Sequence, residues 1–110
     1  MLARIVTATV QPVKISEFRN LLNNKLLPVI QSQPGFLENI EALDPSTGRF
    51  SCTTLWKSRE DIERYDNGVF PEIASKMSPM LQGNPVVQTL PVENSSTQHV
   101  RAAAASTSSR

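Results

Sequence analysis

Residues 50–65 have the sequence FSCTTLWKSREDIERY, which joins the pattern of a β-strand directly to the start of an α-helix. The first part is rich in β-branched and aromatic side chains and ends at Trp56, the only tryptophan of the chain. Ser58 follows, with Asp61 three residues later, which is the spacing of a capping box. The segment therefore predicts a strand over residues 50–57 and a helix that begins at Ser58, with the Ser58 hydroxyl accepting a hydrogen bond from the Asp61 backbone N–H.

The segments on either side supply partners for this strand and helix. β-Branched residues over 2–10 predict a first strand, and apolar residues at three- and four-residue spacing from Phe18 to Ile30 predict a helix that Pro28 kinks or breaks. Residues 36–43 and 50–57, separated by the turn formers DPSTGR, predict an antiparallel hairpin. Three further elements follow: a helix from Ser58 to about residue 67, a short helical segment at 70–81 and a last strand at 86–90.

This order, β-α-β-β-α-β, predicts an α+β, ferredoxin-like fold with a four-stranded antiparallel sheet and two helices on one face. We assign this domain to residues 1–92 and predict that residues 93–110, rich in Ser, Thr and Ala, form a polar, disordered tail. The strands carry apolar residues on both faces, so the uncovered sheet face predicts a homodimer packed sheet to sheet.

The composition excludes several classes of function. The chain has 11 basic and 10 acidic side chains, which gives no charge imbalance for a nucleic acid or an anionic membrane as partner. Cys52 is the only cysteine and His99 is the only histidine, and His99 lies in the polar tail, so we expect no disulfide, no metal site and no haem ligand. No stretch approaches the ~20 apolar residues that span a bilayer, and we expect a cytoplasmic protein.

Three motifs resemble those of the antibiotic biosynthesis monooxygenase family: FRNLL at 18–22, PGFL at 34–37 and WKSRE at 56–60. The resemblance covers roughly residues 2–92 and implies a dimeric α+β barrel. It also implies a cofactor-independent monooxygenase that acts on a small aromatic or electron-rich compound, because some relatives oxidise aromatic polyketides without a cofactor. Relatives that degrade haem have a histidine where this chain has Tyr65. They also have an asparagine on the first strand, where this chain has Thr7, Ala8 and Thr9. The resemblance therefore implies no haem and no other cofactor.

Trp56 and Tyr65 are the catalytic candidates that the resemblance implies. Trp56 either forms a wall for a flat ligand and donates its indole N–H to a ligand oxygen, or is simply the largest core side chain. Tyr65 either donates a hydrogen bond to a phenolate or enolate oxygen, or lies at the rim of the helix with its hydroxyl in water. Substrate-binding roles are assigned to Cys52, Thr54, Phe18 and Leu22, of which the first two share a strand face with Trp56.

The sequence leaves the proton acceptor open. Without a histidine in the domain, the base is a carboxylate, a tyrosine or solvent, and Glu60 and Asp61 are expected to serve the start of the helix instead. Three alternatives are open for Arg4: it binds an anionic ligand, it pairs with a carboxylate across the dimer, or its side chain extends to the solvent at the rim. Cys52 is expected to be an inert buried thiol.

Two other functions are compatible with this order of elements. RNA-recognition domains share the order of elements, but their third-strand signature needs a second aromatic residue where Cys52 stands, together with a basic surface, so RNA binding is excluded. The alternative that stays open is a non-catalytic small-molecule-binding or stress-related protein on the same dimeric barrel, because a fold does not decide function.

Overall fold

The computed structural model describes residues 1–98 and the backbone of residues 100 and 101. Its sheet is antiparallel and contains β1 (Leu2–Val10), β2 (Phe36–Leu43), β3 (Arg49–Trp56) and β4 (Leu81–Pro91), in the order β2-β3-β1-β4. The helices are α1 (Ile15–Leu21), α2 (Leu27–Gln31), α3 (Arg59–Asn67) and α4 (Phe70–Met77), and their buried side chains form one core with the inner face of the sheet. The predicted α+β, ferredoxin-like fold is confirmed.

The first helical segment changes its geometry in the middle. α1 runs directly into a π-helical turn at Leu22–Leu26, and α2 follows with Pro28 in its first turn. Proline has no backbone N–H to donate and its ring crowds the preceding turn, so it is tolerated where a new helical segment begins. The chain stays helical from residue 15 to residue 31, so the break predicted at Pro28 takes the form of a change from a π turn to α2, with Pro28 in the first turn of α2.

The junction between β3 and α3 forms the predicted capping box. The Asp61 backbone N–H donates to Ser58 Oγ at 3.2 Å, and the Ser58 hydroxyl donates in turn to Asp61 Oδ2 at 2.9 Å. The remaining Asp61 oxygen, Oδ1, accepts from Arg64 Nη1 at 2.8 Å. These hydrogen bonds, that from Arg64 above all, lower the pKa of Asp61 and hold the carboxylate in its ionised form.

The two sequence motifs that bracket the β2–β3 hairpin meet at Gly35. The Lys57 backbone N–H donates to the Gly35 carbonyl at 2.9 Å, which joins the entry of β2 to the end of β3. Gly35 has a φ of +83°, and a Cβ atom at this position would overlap the Asp61 side chain. Glycine is required here by both its backbone conformation and the close approach of the helix cap.

β4 begins earlier than the sequence indicated. The strand starts at Leu81 rather than at Val86, so the stretch 82–85, which was predicted to be a break, lies within it. The pairing of β1 with β4 shifts register between Thr7 and Thr9, which marks a bulge opposite this stretch. β4 is an edge strand, and glycine and proline are accommodated at the bulges of edge strands.

Part of the predicted tail is also described. Asn94–Ser95 (β5) pairs antiparallel with Val100–Arg101 (β6), and the Thr97 hydroxyl donates to Glu38 Oε1 at 2.6 Å. His99 and residues 102–110 lie outside the described residues, and the disorder predicted for them stays a prediction. No helix within the described ranges is long and apolar enough to cross a membrane.

Candidate functional site

A small cavity lies between the helices and the inner face of the sheet. Its volume is about 30 Å³, which is room for a water molecule or two but not for an aromatic ring. Most of the wall is apolar, and the polar groups on it are Arg4, Thr54, Tyr65 and the Cys52 thiol. The apolar lining consists of Val6, Leu22, Leu26, Ile30, Phe50, Phe70, Ile73 and Met77.

Larger depressions of about 550 and 630 Å³ lie on the outer face of the sheet. They are open to solvent and are lined by exposed and buried residues together. The inner cavity is the better candidate because it alone among these sites brings a buried arginine, a phenol, a hydroxyl and a thiol to one apolar space. Within residues 1–98, no three His, Cys, Asp or Glu side chains come together as metal ligands.

Trp56 lies behind the cavity rather than on its wall. The side chain is completely buried and packs edge-to-face on Phe36, with ring centroids 5.8 Å apart. Its indole N–H donates to Thr54 Oγ1 at 2.8 Å, so the donor predicted for a ligand is already used. The structure thus places Trp56 in the core role, in contact with the site through Tyr65.

Tyr65 lies on the cavity wall. Its ring packs between Trp56 and Phe70, at centroid distances of 5.0 and 5.6 Å. Only 3% of the residue is exposed, so the alternative of a rim position in water is wrong. The reason is that Ile62 and Tyr65 lie on the side of α3 that is buried in the core. Burial raises the pKa of Tyr65 to about 12, so its hydroxyl keeps its proton near neutral pH.

Arg4 is a buried cation in the same wall. Its Nε and Nη2 atoms lie 2.9 and 2.8 Å from Asp66 Oδ1, and its guanidinium carbon lies 4.1 Å from the centroid of the Phe70 ring. Of the three alternatives open for Arg4, extension to the rim is wrong because the residue is buried, and the carboxylate that it pairs with in this structure belongs to the same chain. Asp66 lies near the end of α3, which the packing of that helix brings over the start of β1.

The predicted substrate-binding residues are only partly brought together. Leu22, Cys52 and Thr54 line the cavity, whereas Phe18 packs edge-to-face on Phe50 at 4.9 Å, behind the wall. Burial, and to a lesser degree the charge of Glu41, raises the pKa of Cys52 to about 11, so the thiol is protonated and unreactive near neutral pH.

Glu41 is a candidate that the sequence reasoning missed. It pairs with Cys52 across β2 and β3, which places it on the inner face of the sheet. Its Oε2 atom is buried and has no hydrogen-bond partner among the described residues, and burial raises the pKa of the carboxyl. A bulge between Phe36 and Glu38 hides this position, because it shifts the alternation along β2. Counting back from the pair of Leu43 with Phe50 beside the hairpin turn would have found it.

Comparison with solved structures shows the same fold in antibiotic biosynthesis monooxygenases. The crystal structure of one of them superposes with a TM-score of 0.70 at 17% identity and covers 84% of this chain and 98% of that chain. The monooxygenase from the ActVA-Orf6 gene of Streptomyces coelicolor, solved with the ligand nanaomycin D, has a TM-score of 0.68 at 21% identity and covers 86% and 88%. SnoaB of Streptomyces nogalater, a cofactor-independent oxygenase solved as a point mutant, has a TM-score of 0.70 at 13% identity and covers 86% and 95%.

No family model matches this sequence, and no curated protein matches it significantly. The likeness is one of fold, and at that level it confirms the resemblance that the three sequence motifs indicated.

Proposed function

We propose that this protein is a cofactor-independent monooxygenase that acts on a small aromatic or other electron-rich compound. The observation that carries the proposal is the buried cavity in which Tyr65, Thr54, Cys52 and Arg4 meet, in a fold shared with a cofactor-independent oxygenase. An apolar space of this kind removes water from a bound ring, and the Tyr65 hydroxyl provides a hydrogen bond to an oxygen on which negative charge develops.

The reaction needs no reductant because the substrate supplies all the electrons. Loss of a proton from an activated CH₂ group gives a carbanion, which transfers an electron to O₂ and then forms a C–O bond with the superoxide produced. The peroxide takes up a proton to give a hydroperoxide. The hydroperoxide loses the second hydrogen of the former CH₂ group as its O–O bond breaks, which releases water and leaves a carbonyl group. The balance is CH₂ plus O₂ to C=O plus H₂O. In this scheme Tyr65 stabilises the enolate form of the carbanion.

Glu41 is the proton acceptor in this proposal: it does not line the closed cavity, but it is the cross-strand neighbour of Cys52, which does. Tyr65 and Cys52 keep their own protons because their pKa values are raised to about 12 and about 11. Asp61 is bound by Ser58 and Arg64, and Asp66 is bound by Arg4, so neither carboxylate is available as the base. Glu41 has a buried oxygen without a partner and a raised pKa, and cross-strand neighbours such as Glu41 and Cys52 have Cβ atoms only about 5 Å apart. A carboxylate with a raised pKa is a stronger base than an ordinary one.

Ligand entry requires the cavity wall to move. The helical side of the wall includes Leu22, Leu26 and Ile30, which belong to the π turn and to α2. π-Helical turns are rare and occur frequently at functional sites. We therefore place the opening on this side, where an outward shift of the π turn would enlarge the cavity.

Oxygen uptake by the metal-free protein, measured with a panel of anthrone-like and quinol-like compounds, tests the proposal. Tyr65→Phe is expected to lower kcat by about 10- to 100-fold, because it removes one donor to the developing charge. Trp56→Phe is expected to lower kcat less, because Trp56 affects the site only by packing against Tyr65. Thr53→Val is the control, since Thr53 pairs with Ile40 on the outer face of the sheet.

The pH profile of the same reaction tests the role of Glu41. The wild-type rate should rise with pH through the raised pKa of Glu41, because the base acts only when ionised. Glu41→Gln should lose this rise and be slower at neutral pH. If no compound gives enzyme-dependent uptake, or if the Trp56 and Tyr65 variants both match the wild type, catalysis by this site is refuted.

A second candidate function is favoured by two observations. The Trp56 indole N–H is already bound by Thr54, and the cavity is no larger than about 30 Å³. Both fit a non-catalytic small-molecule-binding or stress-related protein. Saturable binding of the same compounds without oxygen uptake would support this function in place of the first.

We also propose that the protein is a cytoplasmic homodimer that packs through the outer face of its sheet. Ile40, Val86 and Leu90 lie on that face and are 56%, 59% and 49% exposed. An apolar strip of this kind on a chain with a net charge of only +1 favours self-association. The single thiol, that of Cys52, is buried and free, as is usual for a reducing compartment.

Light scattering at micromolar concentration is expected to give twice the 12.1 kDa chain mass. Ile40→Glu together with Val86→Glu should give a monomer, because two charges then face the apolar strip of the partner. Val13→Glu is the control, since Val13 is exposed but lies outside the sheet. A wild-type protein that is monomeric at this concentration would remove the dimer.

A further inference from the structure

Among the residues that line the cavity, Arg4 is the one whose side chain carries a charge near neutral pH, and the polar groups beside it are hydroxyls and a thiol. Tyr65 and Cys52 remain protonated near neutral pH because burial raises their pKa values to about 12 and about 11. Thr54 Oγ1 already accepts from the Trp56 indole and donates to the Arg4 carbonyl at 3.4 Å. A ligand group that accepts hydrogen bonds therefore complements this wall better than one that only donates, because the Arg4 guanidinium offers donors alone.

Arg4 has one nitrogen that its internal partner does not use. Nε and Nη2 both approach a single oxygen, Asp66 Oδ1, so the contact is not the parallel fork in which a guanidinium meets both carboxylate oxygens. Nη1 takes part in neither contact. The aromatic rings of Phe70 and Tyr65 lie 4.1 and 5.0 Å from the guanidinium carbon and cover its surface. The Nη1 edge is thus the part of Arg4 that remains available for a ligand.

The charge of Arg4 is incompletely compensated inside the cavity. The Arg4 side chain is 3% exposed, whereas the side chain of Asp66 is 41% exposed. Water screens the charge of the carboxylate more strongly than that of the guanidinium, so the pair is net positive at its buried end. The Glu41 carboxyl lies on the same face of the sheet but does not line the closed cavity. A buried cation of this kind favours an anion over a neutral molecule of the same shape.

We propose that Arg4 selects the ligand by its charge: the cavity takes an aromatic compound with an ionised oxygen, which Arg4 Nη1 and the Tyr65 hydroxyl bind together. The oxygen is that of a phenolate, an enolate or a carboxylate. This inference rests on the proposed function in that it takes the cavity as the ligand site. It adds the charge class of the ligand and gives Arg4 the role of the specificity-determining residue.

The test compares two probes of equal shape, 2-naphthoate and 2-naphthamide, by isothermal titration calorimetry of the full-length protein. The wild type should bind naphthoate at least about tenfold more tightly than naphthamide, since a hydrogen bond to a charged group contributes on the order of a tenfold gain or more. Arg4→Met should abolish this preference and Arg4→Lys should retain part of it. Arg19→Met, which removes an exposed arginine from α1, should leave it unchanged.

Asp66→Asn provides a test that does not depend on removing the buried cation. It withdraws the competing negative charge, so naphthoate should bind more tightly than to the wild type while naphthamide changes little. The single tryptophan gives one indole N–H resonance, and a shift of that resonance with either probe locates binding at the cavity.

The outcomes separate the two proposals. If neither probe binds the wild type, the inference is overturned, and the oxygen-uptake measurement decides the proposed function separately. If naphthamide binds as tightly as naphthoate, the site stands and selection by Arg4 is overturned. The inference is likewise overturned if Arg4→Lys weakens the binding of both probes equally and Asp66→Asn does not tighten the binding of naphthoate. Arg4 would then act only in packing.

Discussion

Replacing Trp56 with alanine is expected to lower the free energy of unfolding by about 3–5 kcal/mol. The side chain is completely buried, contacts the rings of Phe36 and Tyr65, and donates a hydrogen bond to Thr54. Its removal would leave a cavity the size of an indole at the end of β3 and a buried hydroxyl without its donor. Urea unfolding followed by circular dichroism measures the change, because the substitution removes the only tryptophan fluorescence.

Trp56→Phe is the matched control for this prediction. Phenylalanine fills most of the space but cannot donate to Thr54, so we expect a loss of about 1–2 kcal/mol. A cost of about 1 kcal/mol or less for Trp56→Ala would contradict the packing described here. The difference between the two variants also explains why phenylalanine, and not alanine, is the substitution to use in the oxygen-uptake measurement.

Gly35→Ala is expected to destabilise the protein by about 2–4 kcal/mol. A left-handed backbone conformation costs a residue with a side chain roughly 1–2 kcal/mol, and Gly35 has a φ of +83°. The new methyl group would in addition overlap Asp61 and displace it from Ser58, and loss of a helix cap costs about 0.5–2 kcal/mol. Thermal and urea unfolding of the variant measure the sum.

Gly83→Ala separates the two contributions. Gly83 also has a left-handed conformation, with a φ of +75°, but no atom lies within 4 Å of the position that its Cβ would occupy. We expect a loss of about 1–2 kcal/mol from backbone strain alone. If the two glycine variants lose the same stability, the contact between the β2 entry and the helix cap does not contribute to folding.

Features that depend on neighbours in sequence could be predicted from the residues. The capping box needs only Ser58 and a residue three positions later, and an irregularity of the helix at Pro28 follows from the missing N–H of proline. The hairpin follows from turn formers between two β-rich runs. In each case the hydrogen-bond partner, or its absence, lies within one turn of chain, so the pattern contains the physical cause.

The site depended on contacts that no local pattern contains. Arg4 meets Asp66, which is 62 positions away, and this pairing exists only once α3 has packed on the sheet. Glu41 faces inwards because of a bulge in the pairing with β3. Tyr65 is buried because it lies on the core side of α3 and Phe70 of α4 packs against its ring. The size of the cavity follows from the packing of several elements at once, and a list of candidate residues does not determine it.

The π turn at Leu22–Leu26 also corrects a phase difference within the first helical segment. Phe18, Leu22, Leu26 and Ile30 are spaced four residues apart, and all four are buried. In a regular α-helix with 3.6 residues per turn, twelve residues would rotate Ile30 by about 120° relative to Phe18 and carry it off the buried face. The wider turn absorbs this rotation. Deleting one residue from the turn would restore a regular helix but turn everything beyond it by about 100°, so the extra residue is what keeps both ends of the segment directed into the same core.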